Sequence, residues 1–291
     1  MNGILVINKP KGYTSRDIVN IISKKLGTKK VGHTGTLDPM AEGVLVLPVG
    51  RALKISELLT SNKKEYKARV ILGYETDTLD ITGKETKRNN PAVSEEDIKR
   101  ALQEMIGRQL QEVPIYSAVK INGKKLYEYA RNNIPVTLPK KEIEVYELSL
   151  IDNVKKLKDT IEFTIYCRVS KGTYIRSLIR DIALKLGTYG TMKELVRTKQ
   201  GIFTIEKAYT LEDIEKADYR LIPIKEALPN IKQINLDDKL LKKVKNGQVL
   251  DSFFTEDLAL LVDKKGNEIA IYKKTENNKV KPYKMIEVQN E

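Results

Sequence analysis

Hydrophobic positions change their spacing several times along the chain, and each change predicts an element. Ile4-Leu5-Val6-Ile7 is an unbroken apolar run closed by Asn8-Lys9-Pro10-Lys11-Gly12, the pattern of a buried strand and its turn. Ile18, Val19, Ile22 and Leu26 then recur at helical spacing, with Ser15 read as the N-cap and Gly27 as the stop. Val44 to Leu47 is a second apolar strand, and residues 51–59 predict a helix. In residues 64–73, Tyr66, Ala68, Val70 and Leu72 alternate with Lys67, Arg69 and Ile71, so one strand face is buried. Residues 76–90 are polar and read as a loop. Ser94 caps a predicted helix over 95–106, which Gly107 ends.

Residues 113–121 predict a strand, and Asn122-Gly123 is a tight-turn signal. In the short helix predicted over 124–131, lysines and tyrosines interleave. Such a segment suits an arm that stacks on bases and grips phosphates, or else a solvated hairpin. Residues 160–169 alternate again as a strand. Ile175, Leu178, Ile179, Ile182 and Leu186 form one helical stripe, with Thr173 as its cap and Gly187 at its end. Residues 192–197 predict another strand. Residues 223–229 begin and end in proline and read as a linker. Beyond it the pattern gives a helix over 237–245 and strands over 258–263, 268–273 and 281–288. The chain is therefore divided into 1–228 and 229–291.

Charge adds a partner to this picture. Fifty-two Lys and Arg oppose 39 Asp and Glu in 291 residues, a net charge of +13. Neutralising phosphates is what such an excess does best, so nucleic acid leads the candidates, with a merely basic soluble surface as the alternative. One cysteine, Cys167, excludes an internal disulfide and is consistent with a reducing cytoplasm. One Cys and one His leave too few nitrogen and sulfur ligands for structural zinc, so no metal is expected. No phosphate-binding glycine pattern appears, so no nucleotide cofactor is expected. The N-terminal apolar run is too short for a signal peptide or a membrane span.

The candidate chemistry lies in residues 31–50, VGHTGTLDPMAEGVLVLPVG. Gly32 and Gly35 flank His33 and Thr34, which suits a tight turn or a close approach to a ligand. Pro39 stiffens the backbone that carries Asp38. Asp38 could cap a helix, shape a turn or act as an acid–base group. A metal role is disfavoured because Glu42 is the nearest other carboxylate in sequence. Arg176 falls in the first turn of its helix, against the helix dipole, which calls for a nearby anion; Asp38 is one candidate.

This stretch closely resembles the signature of the TruB-type tRNA pseudouridine synthases, G-H-x-G-x-L-D-P-x-A-x-G-x-L. Gly32, His33, Gly35, Leu37, Asp38, Pro39, Ala41, Gly43 and Leu45 match every fixed position. The resemblance extends through INKPKG, KKEYKA, PIYSAVKINGKKLYEYAR, SKGTYIRSL and ELVRT. It implies the α/β fold class, a mixed, largely antiparallel sheet flanked by helices, with a catalytic cleft, and a small C-terminal β-barrel like the RNA-binding PUA domain. It implies conversion of uridine 55 in the tRNA T-loop to pseudouridine, without cofactor, guide RNA, protein partner or membrane, by a cytoplasmic monomer. By similarity Asp38 is the catalytic carboxylate, Tyr66 stacks on the base and accepts its C5 proton, and Arg176 pairs with the aspartate and stabilises its charge. Tyr174 orients the site, Leu195 packs in the pocket, His33 holds the flipped nucleotide open, and Lys9 with Pro10 supports the loop. Two rivals use the same basic surface: a non-catalytic RNA chaperone and a DNA-binding protein.

Overall fold

The computed structural model describes residues 1–60 and 63–287. Its first elements are β1 (Gly3–Lys9), α1 (Ser15–Lys25), β2 (Glu42–Val49), and a 3-10 helix (Gly50–Ile55) that runs into α2 (Ser56–Leu59). Next come β3 (Lys63–Leu72), β4 (Tyr74–Thr76), β5 (Glu85–Arg88), α3 (Glu95–Glu104), β6 (Gly107–Glu112), β7 (Lys120–Ile121), β8 (Lys124–Lys125) and α4 (Leu126–Arg131). β9 (Lys140–Leu150), β10 (Lys155–Lys156), β11 (Ile161–Ser170), α5 (Ile175–Lys185), β12 (Gly190–Gln200) and β13 (Phe203–Thr204) follow. The chain continues through α6 (Leu211–Glu215), α7 (Ile224–Ala227), β14 (Lys232–Asn235), α8 (Asp238–Lys245), β15 (Leu250–Asp251), β16 (Leu258–Val262), β17 (Glu268–Lys274) and β18 (Lys279–Met285).

These elements form two units. The first holds Met1–Pro39, Gly43–Thr60 and Ile202–Glu291; the second holds Met40–Glu42 and Ser61–Gly201. In the first, β1 and β2 pair antiparallel, Gly3 opposite Val49 and Lys9 opposite Gly43. Both strands are apolar at every central position because both faces are covered. Ile4, Val6, Val44 and Val46 pack with Leu260, Val262 and Ile271 of the C-terminal sheet. Leu5, Ile7, Leu45 and Leu47 face the other way, onto Ile18, Val19 and Ile22 of α1. The C-terminal sheet has the order β14-β16-β17-β18-β15, in which β14 and β16 are parallel and the other pairs antiparallel. In the second unit the order is β12-β3-β11-β9-β6, with every pair antiparallel. β6 is thus an edge strand there.

The α/β class and the largely antiparallel pairing agree with the sequence reading. Several local expectations are corrected. Thr14, not Ser15, caps α1, in a capping box with Asp17. Tyr174, not Thr173, is the N-cap of α5 and offers no side-chain cap. The helix expected over 51–59 begins as 3-10. The loop expected over 76–90 carries β5, which pairs with β4. Of the strand expected over 113–121 only Lys120–Ile121 is formed, as β7; Pro114, lacking an N–H, cannot join a ladder, and the strand before it, β6, ends at Glu112. Residues 223–229 are no exposed linker: they contain α7, and Ile224, Ala227 and Leu228 are buried in the core. The last residue of the strand expected over 281–288 lies outside the described residues, as do 289–291.

Candidate active site

Asp38 sits half-buried in the irregular stretch between α1 and β2, and both of its neighbours are tied down. On the N-terminal side, the Ser15 hydroxyl accepts from the Leu37 N–H at 2.8 Å and donates to the Leu37 carbonyl at 3.2 Å. Ser15 can do this because Thr14 has taken the capping role, leaving Ser15 on the buried face of the first turn. On the C-terminal side, the Pro39 carbonyl accepts from the Gly12 N–H at 2.8 Å and from Lys9 Nζ at 3.3 Å. Lys9 is fully buried, and its ammonium also donates to the carbonyls of Tyr13 (2.7 Å) and Pro10 (3.0 Å). A buried ammonium needs such a set of acceptors.

Upstream, Gly32 N–H donates to Pro48 and Thr34 N–H to Val46, so the His33 segment runs along β2. At Gly32 a Cβ would come within 2.7 Å of Leu53 Cδ2, so a larger residue would oblige the Leu53 side chain to shift. Gly43 has φ +102°, a conformation that a side chain would strain. The first unit therefore brings Lys9, His33 and Asp38 to one fixed loop.

The second unit carries Tyr66, Tyr174, Arg176 and Leu195. Tyr66 and Leu195 are buried on neighbouring strands: Leu195 of β12 lies opposite Ala68 of β3, and Arg197 opposite Tyr66. Period-2 geometry puts Lys64, Tyr66 and Ala68 on one face, with Leu195 and Arg197 beside them. Burial, and then the positive charges of Arg197 and Lys141, pull the Lys64 ammonium down to about 8.

Arg176 is buried at the start of α5. Its guanidinium donates to the carbonyls of Thr78 (2.9 Å) and Tyr116 (3.1 Å), and lies 3.7 Å from the buried carboxylate of Asp80. The anion that the helix dipole calls for is thus supplied in part by Asp80. Asp80 is itself fixed by the Thr78 hydroxyl at 2.8 Å, the Thr82 N–H at 3.0 Å and the Thr82 hydroxyl at 2.5 Å. Tyr174 is half-exposed, and the buried Gln111 holds its backbone: Tyr174 N–H donates to Oε1 at 2.8 Å, and Nε2 donates to the Tyr174 carbonyl at 3.1 Å.

Ser15, Asp80 and Gln111 are the residues that the sequence reading missed. Their partners, Leu37, Arg176 and Tyr174 respectively, all lie far off in the sequence, so no local pattern marks them. Cys167 is buried in β11 and burial pushes its thiol up to about 12, which makes it core rather than nucleophile. Among the described residues no group of His, Cys, Asp and Glu could hold a metal ion, and no helix is long and apolar enough to cross a membrane.

Comparison with known proteins brings this geometry into a family. Residues 23–175 match the model of the TruB family pseudouridylate synthase N-terminal domain, and residues 176–231 match that of the tRNA pseudouridylate synthase B C-terminal domain. The chain is 43% identical to the tRNA pseudouridine synthase B of Bacillus subtilis (strain 168), over 87% of this chain and 84% of the relative. It is also 43% identical to the protein of that name in Oceanobacillus iheyensis, over 100% and 99% respectively. Among solved structures, a chain of an H/ACA RNP bound to a substrate RNA containing 2′-deoxyuridine superposes with a TM-score of 0.71. That match covers 99% of this chain and 86% of the other at 23% identity, so it speaks to the fold.

Proposed function

The chain belongs to the TruB family of pseudouridine synthases, and from that premise we propose how it acts on its substrate. It is an isomerase that forms pseudouridine in tRNA. We assign uridine 55 of the T-loop as the target. The observation that carries this reading is the immobilised Asp38 loop, with Leu37 clamped by Ser15 and Pro39 held by Gly12 and Lys9. A carboxylate that must meet one sugar carbon needs such preorganisation.

In the proposed reaction the uridine leaves the stacked loop, since its reacting atoms are otherwise out of reach. Tyr66 stacks on the everted base, an interaction of about 1–3 kcal/mol. Asp38 opens the glycosidic bond by attack at C1′ or by removing the C2′ proton. The freed uracil rotates and rejoins C1′ through C5 as Asp38 leaves C1′ or returns the C2′ proton. The C5 proton departs by way of the Tyr66 hydroxyl while N1 takes up a proton, so the atoms balance. Arg176 pairs with Asp38 and stabilises its negative charge, while Tyr174 and Leu195 shape the pocket. His33 keeps the loop open, and Lys9 holds the Asp38 segment. The change is an isomerisation at constant oxidation state, so its balance requires no redox cofactor.

Residues 229–291 are proposed as a PUA-like RNA-binding module: α8 ends in Lys242, Lys243 and Lys245, and Lys273 and Lys284 lie over the Tyr283 ring. The protein is proposed to act in the cytoplasm as a monomer, without guide RNA. The test is to incubate it alone with unmodified tRNA transcript and map pseudouridine at nucleotide resolution. Product at position 55, and none when that uridine is replaced by cytidine, is expected. Product elsewhere, or none without an added RNA, would overturn the assignment.

A further inference from the structure

The end of β6 is stitched to one side of α5 at three successive levels. Gln111 exchanges two hydrogen bonds with the backbone of Tyr174. One turn on, the Ser177 hydroxyl donates to the Glu112 carbonyl at 2.9 Å, and another turn on Arg180 Nη1 donates to Glu112 Oε1 at 2.8 Å. The Gln111 bonds differ from the other two in kind. They act on the main chain of α5 rather than on one of its side chains, and they meet the N-cap residue itself.

The amide of Gln111 copies the pairing of a β-ladder, with one donor and one acceptor in one plane. It thereby fixes both the position and the rotation of the Tyr174 peptide groups. That carbonyl also accepts the first helical bond, from Leu178 N–H at 3.0 Å, so the origin of α5 is set here. Tyr174 has no side-chain cap to do this. Arg176 follows two residues later, and its guanidinium must reach Thr78, Tyr116 and Asp80 together. A rotation of the cap would swing this side chain off all three.

We propose that Gln111 is a positioning residue for the reaction, holding the Tyr174–Arg176 segment in its productive geometry. The proposal rests on the roles assigned above to Tyr174 and Arg176. Gln111 touches no reacting atom. Its loss therefore acts on the chemical step and leaves tRNA binding intact, since a small misplacement of a catalytic group costs rate far more than affinity.

The test is single-turnover pseudouridine formation with enzyme in excess over unmodified tRNA, alongside tRNA affinity, for Gln111→Met, Arg176→Lys and the double variant. Gln111→Met keeps the length of the side chain and removes both hydrogen bonds. We expect its rate constant to fall roughly ten- to hundredfold with the Kd for tRNA within about twofold. The double variant should be no more than about twofold slower than Arg176→Lys alone, because both changes disable one unit. A merely structural role would lower the melting temperature and multiply its effect with that of Arg176→Lys. An unchanged rate for Gln111→Met, or full multiplication in the double variant, overturns the proposal. Should Arg176→Lys itself retain the wild-type rate, the site assignment fails and the proposal with it; a slow Arg176→Lys beside a normal Gln111→Met sinks the positioning role alone. If Gln111→Met does not fold, Gln111→Glu, which keeps size and acceptor but loses the donor, is judged by the same rates.

Discussion

Asp80 lies 3.7 Å from Arg176, with both side chains buried, and this ion pair sits where a helix dipole would otherwise repel the guanidinium. Removing one partner of a buried pair weakens the charge compensation of the other. Asp80→Asn is therefore expected to lower the melting temperature and slow pseudouridine formation by roughly tenfold or more, with little change in tRNA affinity. Paired melting curves and single-turnover rates check this. A normal rate would mean that Arg176 does not depend on Asp80.

Ser15→Ala removes the two bonds that hold Leu37, next to Asp38. Two buried backbone groups then lose a partner, at about 1–3 kcal/mol each. The expected result is a rate constant down by roughly tenfold at unchanged Kd, with Ser15→Thr, which keeps the hydroxyl, closer to wild type. Equal rates for Ala and wild type would show that the loop holds itself.

Lys64 carries a pH signature. Burial and the charges of Arg197 and Lys141 lower its pKa from 10.5 to about 8 in the folded protein. The folded state therefore releases this proton first, and the contribution to stability rises as pH goes from about 8 to 10.5 and is lost as pH falls through about 8. Lys64→Met should stabilise the protein near pH 7 by about 1 kcal/mol, roughly 2–4 °C in Tm, and flatten that pH dependence. If the cation is retained for phosphate, the same variant should bind tRNA several-fold more weakly with a shallower salt slope. Stabilisation without weaker binding would remove Lys64 from the RNA surface.

Cys167 makes a simpler case. Its thiol is buried and pushed up to about 12 from the ordinary 9.0, so the native protein should resist thiol reagents at pH 8 and react fully once denatured. Its raised value also means that stability contributed below about pH 9 is lost as pH climbs towards 12. Prompt labelling of the native protein would contradict the burial described here.

The parts legible in the sequence are those whose signal is local. The Asp38 loop is contiguous, with Gly32, Pro39 and Gly43 each doing a backbone task that a neighbour reveals. The double apolar character of β1 and β2 reports two covered faces. β6 escaped because an edge strand with Leu110 as its one aliphatic side chain shows no apolar face. β9 escaped because its pairing with β11 slips between Arg168 and Val169, so Ile143 and Val145 are out of phase with Leu148. Ser15 reads as a cap and Gln111 carries no local signal; only the fold brings their long-range partners to them.

The most direct measurement is single-turnover pseudouridine formation by Asp38→Asn on unmodified tRNA, with tRNA affinity measured on the same preparation. The substitution keeps the size of the side chain and removes its charge. Loss of product at position 55 with affinity retained is the predicted result. Product formed at a near-normal rate would contradict the role of Asp38 and the account built on it.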